Sequence, residues 1–84
     1  MTARGYRLNI YANSRDEILL AHKPYTVVLV QYGVRKAVGV AKCNPKDQWN
    51  PRIGVALAKS RAVAELAEYL IAQESPCFGE AKNA

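Results

Sequence analysis

One long segment with helical periodicity, residues 51–74, constrains the fold of this chain more than any other feature of its sequence. Asn50 is a favourable N-cap, and Pro51 brings a preset φ to the first helical position, where a missing N–H costs nothing. At about 100° per residue, one broad apolar stripe of this helix is predicted to be buried against a core. That stripe consists of Ile53, Ala56, Leu57, Ser60, Val63, Ala64, Ala67, Leu70 and Ile71.

A second side of the same helix carries only small residues. Gly54, Ala58 and Ala62 recur at four-residue spacing, which lets another helix or a sheet approach closely. The row has two interpretations. It is either a set of residues on an exposed face, where Ala favours helix formation, or a surface through which two copies of the chain associate.

Length and composition predict one small domain. The chain has 84 residues, near the size at which folding alone becomes marginal, so a partner chain would help.

No apolar run approaches the roughly 20 residues of a membrane span, and the N-terminus lacks a signal-peptide core. Cys43 and Cys77 form no metal or disulfide motif and are expected to be free thiols in the cytoplasm. Residues 1–78 are predicted to form the domain, and residues 79–84 a disordered tail.

The first quarter of the chain has one clear pattern and one ambiguous one. Apolar and polar residues alternate over residues 5–12, which predicts a first strand. Ser14 and Glu17 then have the spacing of a capping box, which favours a short helix over residues 14–22. The alternative is a turn at residues 13–16 followed by a hairpin strand at residues 17–21. Pro24 ends the element in either case.

A β-hairpin follows, and it is the strongest strand signal in the sequence. Residues 25–32 are rich in β-branched and aromatic side chains, Gly33 marks a turn, and residues 35–43 form the partner strand. The small residues on one face of that second strand are predicted to admit the long helix closely. Apolar side chains occur on both faces of the sheet, and one helix covers only one of them. The face that contains Val28, Val30 and Tyr32 is therefore predicted either to be covered by the short helix and the tail or to bind a second copy.

The polar connection over residues 44–50 contains the only tryptophan of the chain. Trp49 precedes the N-cap, so it is expected to pack on the start of the helix as a hydrophobic staple. The alternative is that its indole is exposed and stacks on a nucleobase or on a partner protein.

The segment that leads from the hairpin into the helix resembles a family of small bacterial and phage proteins with a double-stranded-RNA-binding-domain-like fold. The resemblance covers about 35 residues, and its matching positions are Val38, Gly39, Ala41, Asn44, Pro45, Asp47, Ile53, Gly54, Leu57, Ala58, Arg61, Ala62, Leu66 and Ala67. It implies a sheet packed on a C-terminal helix. In proteins that bind duplex RNA with this fold, the loop and the start of the last helix present lysines to phosphates.

The basic residues of the chain provide candidates for such phosphate contacts. The net charge is +5, with an isoelectric point near 9.5, and it is compatible with nucleic acid or with an acidic protein partner. In the region of the resemblance the candidates are Lys42, Lys46, Arg52 and Lys59, and a helix N-terminus would add to Lys46 and Arg52. Arg35 and Lys36 in the hairpin extend this set.

No pattern in the sequence indicates catalysis. His22 is the only histidine and is expected at the surface, and no base is paired with Cys43. The sequence therefore predicts an α+β fold, with a three-stranded antiparallel sheet and a long C-terminal helix on one face. We expect a small binding protein, not an enzyme, without metal, cofactor, small-molecule substrate or membrane partner. It would bind nucleic acid independently of sequence or, alternatively, form a homodimer or bind another protein.

Overall fold

The computed structural model describes residues 3–74 and confirms the predicted α+β class. Its elements follow the order helix, three strands, helix: α1 Ala3–Asn13, β1 Arg15–His22, β2 Tyr25–Tyr32, β3 Arg35–Lys42 and α2 Pro51–Glu74. The predicted end of the domain at residue 78 and the predicted tail over residues 79–84 lie outside the described residues.

The three strands form an antiparallel sheet in the order β1-β2-β3. Val28 in the central strand pairs with Ile18 on one side and with Gly39 on the other. The β1–β2 register shifts between Ile18 and Leu20, as in a β-bulge. The predicted hairpin over β2 and β3 is confirmed, and Gly33 lies in its turn with a φ of 62°, a conformation that favours glycine.

The predicted first strand over residues 5–12 is wrong, because these residues lie in α1. Tyr6 and Ile10, four residues apart, are buried, whereas Leu8 between them is 61% exposed. Burial at positions i and i+4 is typical of a helix. The apolar and polar residues of this segment also alternate with the period of a strand, which is why the sequence suggested one. The carboxamide of Asn13 donates to the Asn9 carbonyl oxygen at 3.0 Å, within the last turn of the helix.

The favoured short helix over residues 14–22 is also wrong. The alternative of a hairpin strand is correct, although the strand begins at Arg15, within the predicted turn. The segment RDEILLAH pairs along β2 from Arg15 opposite Gln31 to His22 opposite Tyr25. Leu, Ala and Glu favour a helix only weakly, so pairing with the strongest strand of the chain outweighs their preference.

Both helices contribute to a core on the same face of the sheet. The buried apolar residues of the described chain are Tyr6, Ile10, Val28, Val30, Ala37, Ala41, Ala58, Ala62, Val63, Leu66 and Ala67. Above the central strand, the Asn9 carboxamide donates to the Tyr32 hydroxyl at 2.7 Å. The opposite face of the sheet is not covered by any helix or strand within residues 3–74.

The side of α2 that packs on the sheet differs from the predicted stripe by roughly a third of a turn. Ile53 is 58% exposed and Leu57 is 48% exposed, whereas Ala58 and Ala62 are fully buried. The small residues of α2 face the sheet because the side chains of β3 are also small there. The two backbones are so close that a Cβ on Gly39 would collide with the Ala58 backbone carbonyl. The predicted close approach of α2 to the small face of β3 is therefore confirmed, and a second copy cannot occupy the buried part of the small row.

The start of α2 is capped as predicted. The Asn50 side-chain oxygen accepts a hydrogen bond from the Arg52 N–H at 3.0 Å, and the Asn50 carbonyl accepts from the Gly54 N–H at 3.1 Å. The first bond satisfies a donor that a helix start leaves unpaired, and the second is the first i→i−4 bond of the helix itself. Asn50 thus fixes the position at which the β3–α2 loop ends.

We expect Asn50→Ala to lower the free energy of unfolding by about 1 kcal/mol, because the cap acceptor is lost. Urea denaturation followed by circular dichroism measures this difference. Asn50→Asp is the matched control, since it keeps an acceptor at the same place and should unfold close to the wild-type midpoint. Equal midpoints for Asn50→Ala and the wild type would show that this hydrogen bond does not stabilise α2.

Candidate nucleic-acid interface

One end of the sheet brings together basic residues from two connections. The Cys43 N–H donates to the Pro24 carbonyl oxygen at 2.7 Å, which holds the end of β3 beside the β1–β2 turn. Lys23 lies in that turn and Lys42 at the end of β3, and both side chains are exposed. We call this surface, with Lys46 and Arg52 of the following segment, the basic end.

The β3–α2 loop is a defined turn and not an open coil. The Asp47 N–H donates to the Asn44 carbonyl oxygen at 2.9 Å, and the Lys46 N–H donates to the Asn44 side-chain oxygen at 3.0 Å. The Cys43 thiol, half-buried beneath the turn, lies 3.8 Å from the Asp47 carbonyl oxygen. The turn therefore holds the backbone at Lys46 in one conformation and leaves its side chain exposed.

The N-terminus of α2 adds to the positive potential of the basic end. A helix start carries about half a positive charge, and Arg52 lies in the first turn of α2 with an exposed side chain. Among residues 3–74, this end has four cations and one carboxylate: Lys23, Lys42, Lys46 and Arg52, with Asp47. The basic end therefore carries a net charge of +3, more than half of the chain's +5.

A pocket of about 310 Å³ opens between the β3–α2 loop and the first turns of α2. Its walls are mostly apolar and include Trp49, Ile53 and Leu57, and Cys43 and Asp47 also line it. Trp49 is half-buried and lines the same pocket as Gly54 of the helix start. The pocket lies directly beside the basic end, because Lys42 forms part of its wall.

The remaining predicted phosphate contacts lie elsewhere. The Lys59 ammonium is 3.4 Å from the Asp16 carboxylate and 5.5 Å from the centre of the Tyr11 ring, so it packs against β1 and α1. The Arg35 guanidinium lies 4.3 Å above the Tyr69 ring, near the far end of α2. Arg35 and Lys36 begin β3, roughly 20 to 23 Å along the strand from Lys42. The six predicted cations therefore do not form one patch.

The predicted intermolecular interface is wrong in most of its residues. Val28 and Val30 are fully buried under the helices of the same chain, as are Ala58 and Ala62. Gly54 is partly buried against Thr26, and Tyr32 is half-buried and accepts a hydrogen bond from Asn9. These side chains face the core because the helices cover that side of the sheet, where the prediction required a free surface.

The exposed apolar surface lies on the opposite side of the sheet, which we call the open face. The register places its side chains in three rows: Leu20 from β1, Val27 and Leu29 from β2, and Val38 and Val40 from β3. Val38 and Val40 are each 46% exposed. Arg15, Glu17, Lys36 and Lys42 surround them with charge. Sequence reasoning identified two apolar faces, but its candidate interface lies on the face that the helices cover.

Lys23 is the member of the basic end that sequence reasoning missed. Its position follows from the β2–β3 register, since Tyr25 lies opposite Lys42 and the residues just before Tyr25 therefore lie beside Cys43. The signal was present in the predicted hairpin, because a turn at Gly33 between residues 25–32 and 35–43 places the start of the first strand beside the end of the second.

Two further kinds of site can be assessed for the described part of the chain. Residues 3–74 contain no group of three or more His, Cys, Asp or Glu side chains placed to bind a metal ion. No helix within the same range is both long and apolar enough to cross a membrane.

The fold and the basic end described above belong to one small α+β domain. A family model described as Rv2632c-like matches residues 25–80, which include β2, β3, the β3–α2 loop and α2. The chain belongs to this Rv2632c-like family, and the predicted resemblance to a family of small bacterial proteins is confirmed at that level. No curated protein and no solved structure is significantly similar to the chain.

Proposed function

We propose that the chain is a small non-enzymatic binding protein that contacts the phosphates of duplex nucleic acid, independently of sequence, through its basic end. The observation that carries this proposal is the hydrogen bond between Cys43 and Pro24, which places Lys23 beside the β3–α2 loop. Lys42, Lys46 and Arg52 then lie around the same sheet end as the N-terminus of α2. This arrangement agrees with the resemblance to the double-stranded-RNA-binding fold, in which a loop and a helix start contact phosphates.

Electrostatics supports phosphate contacts here more than at the other predicted positions. The side chains of Lys42, Lys46 and Arg52 are exposed, whereas Lys59 already pairs with Asp16. The Lys42 ammonium lies 5.7 Å from the centre of the Tyr25 ring, on the side of the open face. A phosphate near the start of α2 would benefit from unpaired backbone N–H groups and from the helix dipole together. With four such contacts, the logarithm of the association constant should fall against the logarithm of the salt concentration with a slope of roughly −3 to −4.

The test is a double charge reversal at the basic end. We expect Lys46→Glu with Arg52→Glu to weaken binding to labelled RNA and DNA duplexes by at least about tenfold and to make the salt slope shallower by roughly 2, since two phosphate contacts are lost. Fluorescence anisotropy at several salt concentrations measures both quantities, and light scattering in the same buffers gives the mass of the protein.

Arg35→Glu with Lys36→Glu is the matched control. It changes the net charge by the same amount at the opposite end of β3. We expect it to reduce affinity less and to leave the slope nearly unchanged. Equal losses for the two double variants would mean that total charge, and not the basic end, governs binding. Failure of the wild type to bind either duplex at low salt would overturn the proposal.

The second candidate function is interaction with another protein through the open face. Its support is the exposed apolar centre of Leu20, Val38 and Val40, because such patches on soluble proteins often mark interaction sites. Binding through apolar side chains would depend little on salt. The salt titration therefore separates this candidate from phosphate binding.

A further inference from the structure

We propose that the pocket between the β3–α2 loop and α2 receives one unpaired nucleobase, stacked on Trp49. The inference rests on the proposed function and adds a preference to it: among nucleic acids, duplexes with an unpaired base or single strands would bind better than perfectly paired duplexes.

The walls of the pocket are suited to a flat, largely apolar group. Large apolar side chains remain exposed there, since Ile53 and Leu57 are about half exposed while α2 buries its small residues instead. Trp49 supplies the one indole of the chain. Aromatic side chains stack on bases of any sequence, because every base has a π-face. A volume of about 310 Å³ lies at the lower end of the range for small-ligand pockets.

The rim of the pocket carries groups that can bond to the edge of a base. The carboxamides of Asn44 and Asn50 each use their oxygen on a loop or helix N–H, so their amide groups can still donate. Gln48 can donate and accept, and the Asp47 carboxylate can accept from a base amino or imino group. Carboxamides are common partners of base edges in nucleic-acid complexes.

The charges distinguish a base from a phosphate as the occupant. Asp47 lines the pocket, so a phosphate inside it would meet a carboxylate within mostly apolar walls. Lys42 at the wall and Lys46 and Arg52 in the flanking segments can instead contact the phosphates on either side of the inserted nucleotide. This combination of a cationic surround with an aromatic platform is typical of single-strand recognition.

The first measurement uses the full wild-type chain and two RNA duplexes that differ by one unpaired adenosine. Each duplex has about 20 base pairs, longer than the roughly 16 that a double-stranded-RNA-binding domain spans. We expect about tenfold tighter binding to the duplex with the unpaired base, and quenching of Trp49 fluorescence with that duplex only. Trp49 reports directly, because no other residue of the chain is a tryptophan.

Substitution of the indole separates stacking from other causes. We expect Trp49→Ala to abolish the preference for the unpaired base while the affinity for the perfect duplex stays within about twofold, and Trp49→Phe to retain most of the preference. Val34→Ala is the control for loss of an exposed apolar side chain, since Val34 is 91% exposed at the opposite end of the sheet. Circular dichroism checks folding, and the fluorescence of the wild type tests the inference even if Trp49→Ala does not fold.

The outcomes separate this inference from the proposed function. Salt-sensitive binding of both duplexes with equal affinity and unchanged Trp49 fluorescence would overturn the base pocket. The same result would still support phosphate binding at the basic end. Retention of the preference by a folded Trp49→Ala variant would likewise overturn it. No binding to either duplex would overturn both proposals together.

Discussion

Gly39→Ala should lower the free energy of unfolding by about 3 kcal/mol or more, a large share of the roughly 4 to 12 kcal/mol expected for a domain of this size. A Cβ at residue 39 would overlap the Ala58 carbonyl group of α2 and lie 2.9 Å from the Ala62 backbone nitrogen. Because both neighbours are backbone atoms in the middle of a helix, no side-chain rotation can make room. The helix would have to move away from β3 as a whole.

That movement would separate the most closely packed layers of the domain. Ala58 and Ala62 are fully buried against β3, where Ala37 and Ala41 flank Gly39 with small side chains. A helix that lies farther from the sheet leaves space which these methyl groups are too short to fill, and unfilled space in a core is itself destabilising. Thermal unfolding followed by circular dichroism should show a fall in Tm of more than about 10 °C.

Gly33→Ala is the matched control for the loss of a glycine. Gly33 has a φ of 62° in the β2–β3 turn, and a Cβ there would meet no atom within 4 Å. Its substitution should cost only the roughly 1 to 2 kcal/mol of a left-handed backbone conformation. If Gly39→Ala unfolds at the same temperature as Gly33→Ala or above it, the close contact between β3 and α2 is wrong.

The sequence predicts those parts of the fold that depend on local signals. The β-branched run of β2, the glycine in the turn and the Asn50–Pro51 helix start each determine their structure within a few residues, and all three are found. The side of α2 that is buried does not follow from local signals. Ile53 and Leu57 suggested one side, but the complementary small residues of β3 select another.

The N-terminal third could not be predicted, because local preference and tertiary pairing disagree there. Alternating residues 5–12 fit a strand as well as a helix, and the helix formers of residues 17–21 lie in a strand that β2 stabilises by pairing. The candidate site divides in the same way. Lys42, Lys46 and Arg52 are close in sequence and were predicted together, whereas Lys23 is distant in sequence and joins them through the pairing of β2 with β3.

Val28→Glu should leave the chain largely unfolded, whereas Val38→Glu should cost less than about 1 kcal/mol. The two valines lie on neighbouring strands but on opposite faces, because Val28 pairs with Gly39 and Val38 pairs with Leu29. Val28 is fully buried beneath the helices, where a carboxylate would have neither water nor a cation in the surrounding apolar core. At residue 38 the same carboxylate would remain in contact with solvent on the open face.

Circular dichroism and urea denaturation measure the stability of both variants, and light scattering gives their mass. A folded Val28→Glu variant with wild-type stability would show that the helices cover the other face of the sheet.

The mass of Val38→Glu tests the second candidate function for the case in which the partner is another copy. If the wild type is a dimer through the open face, this variant should be monomeric, because a dimer would place two carboxylates in an apolar interface. A dimer that persists in folded Val38→Glu would instead exclude the centre of the open face as its contact surface.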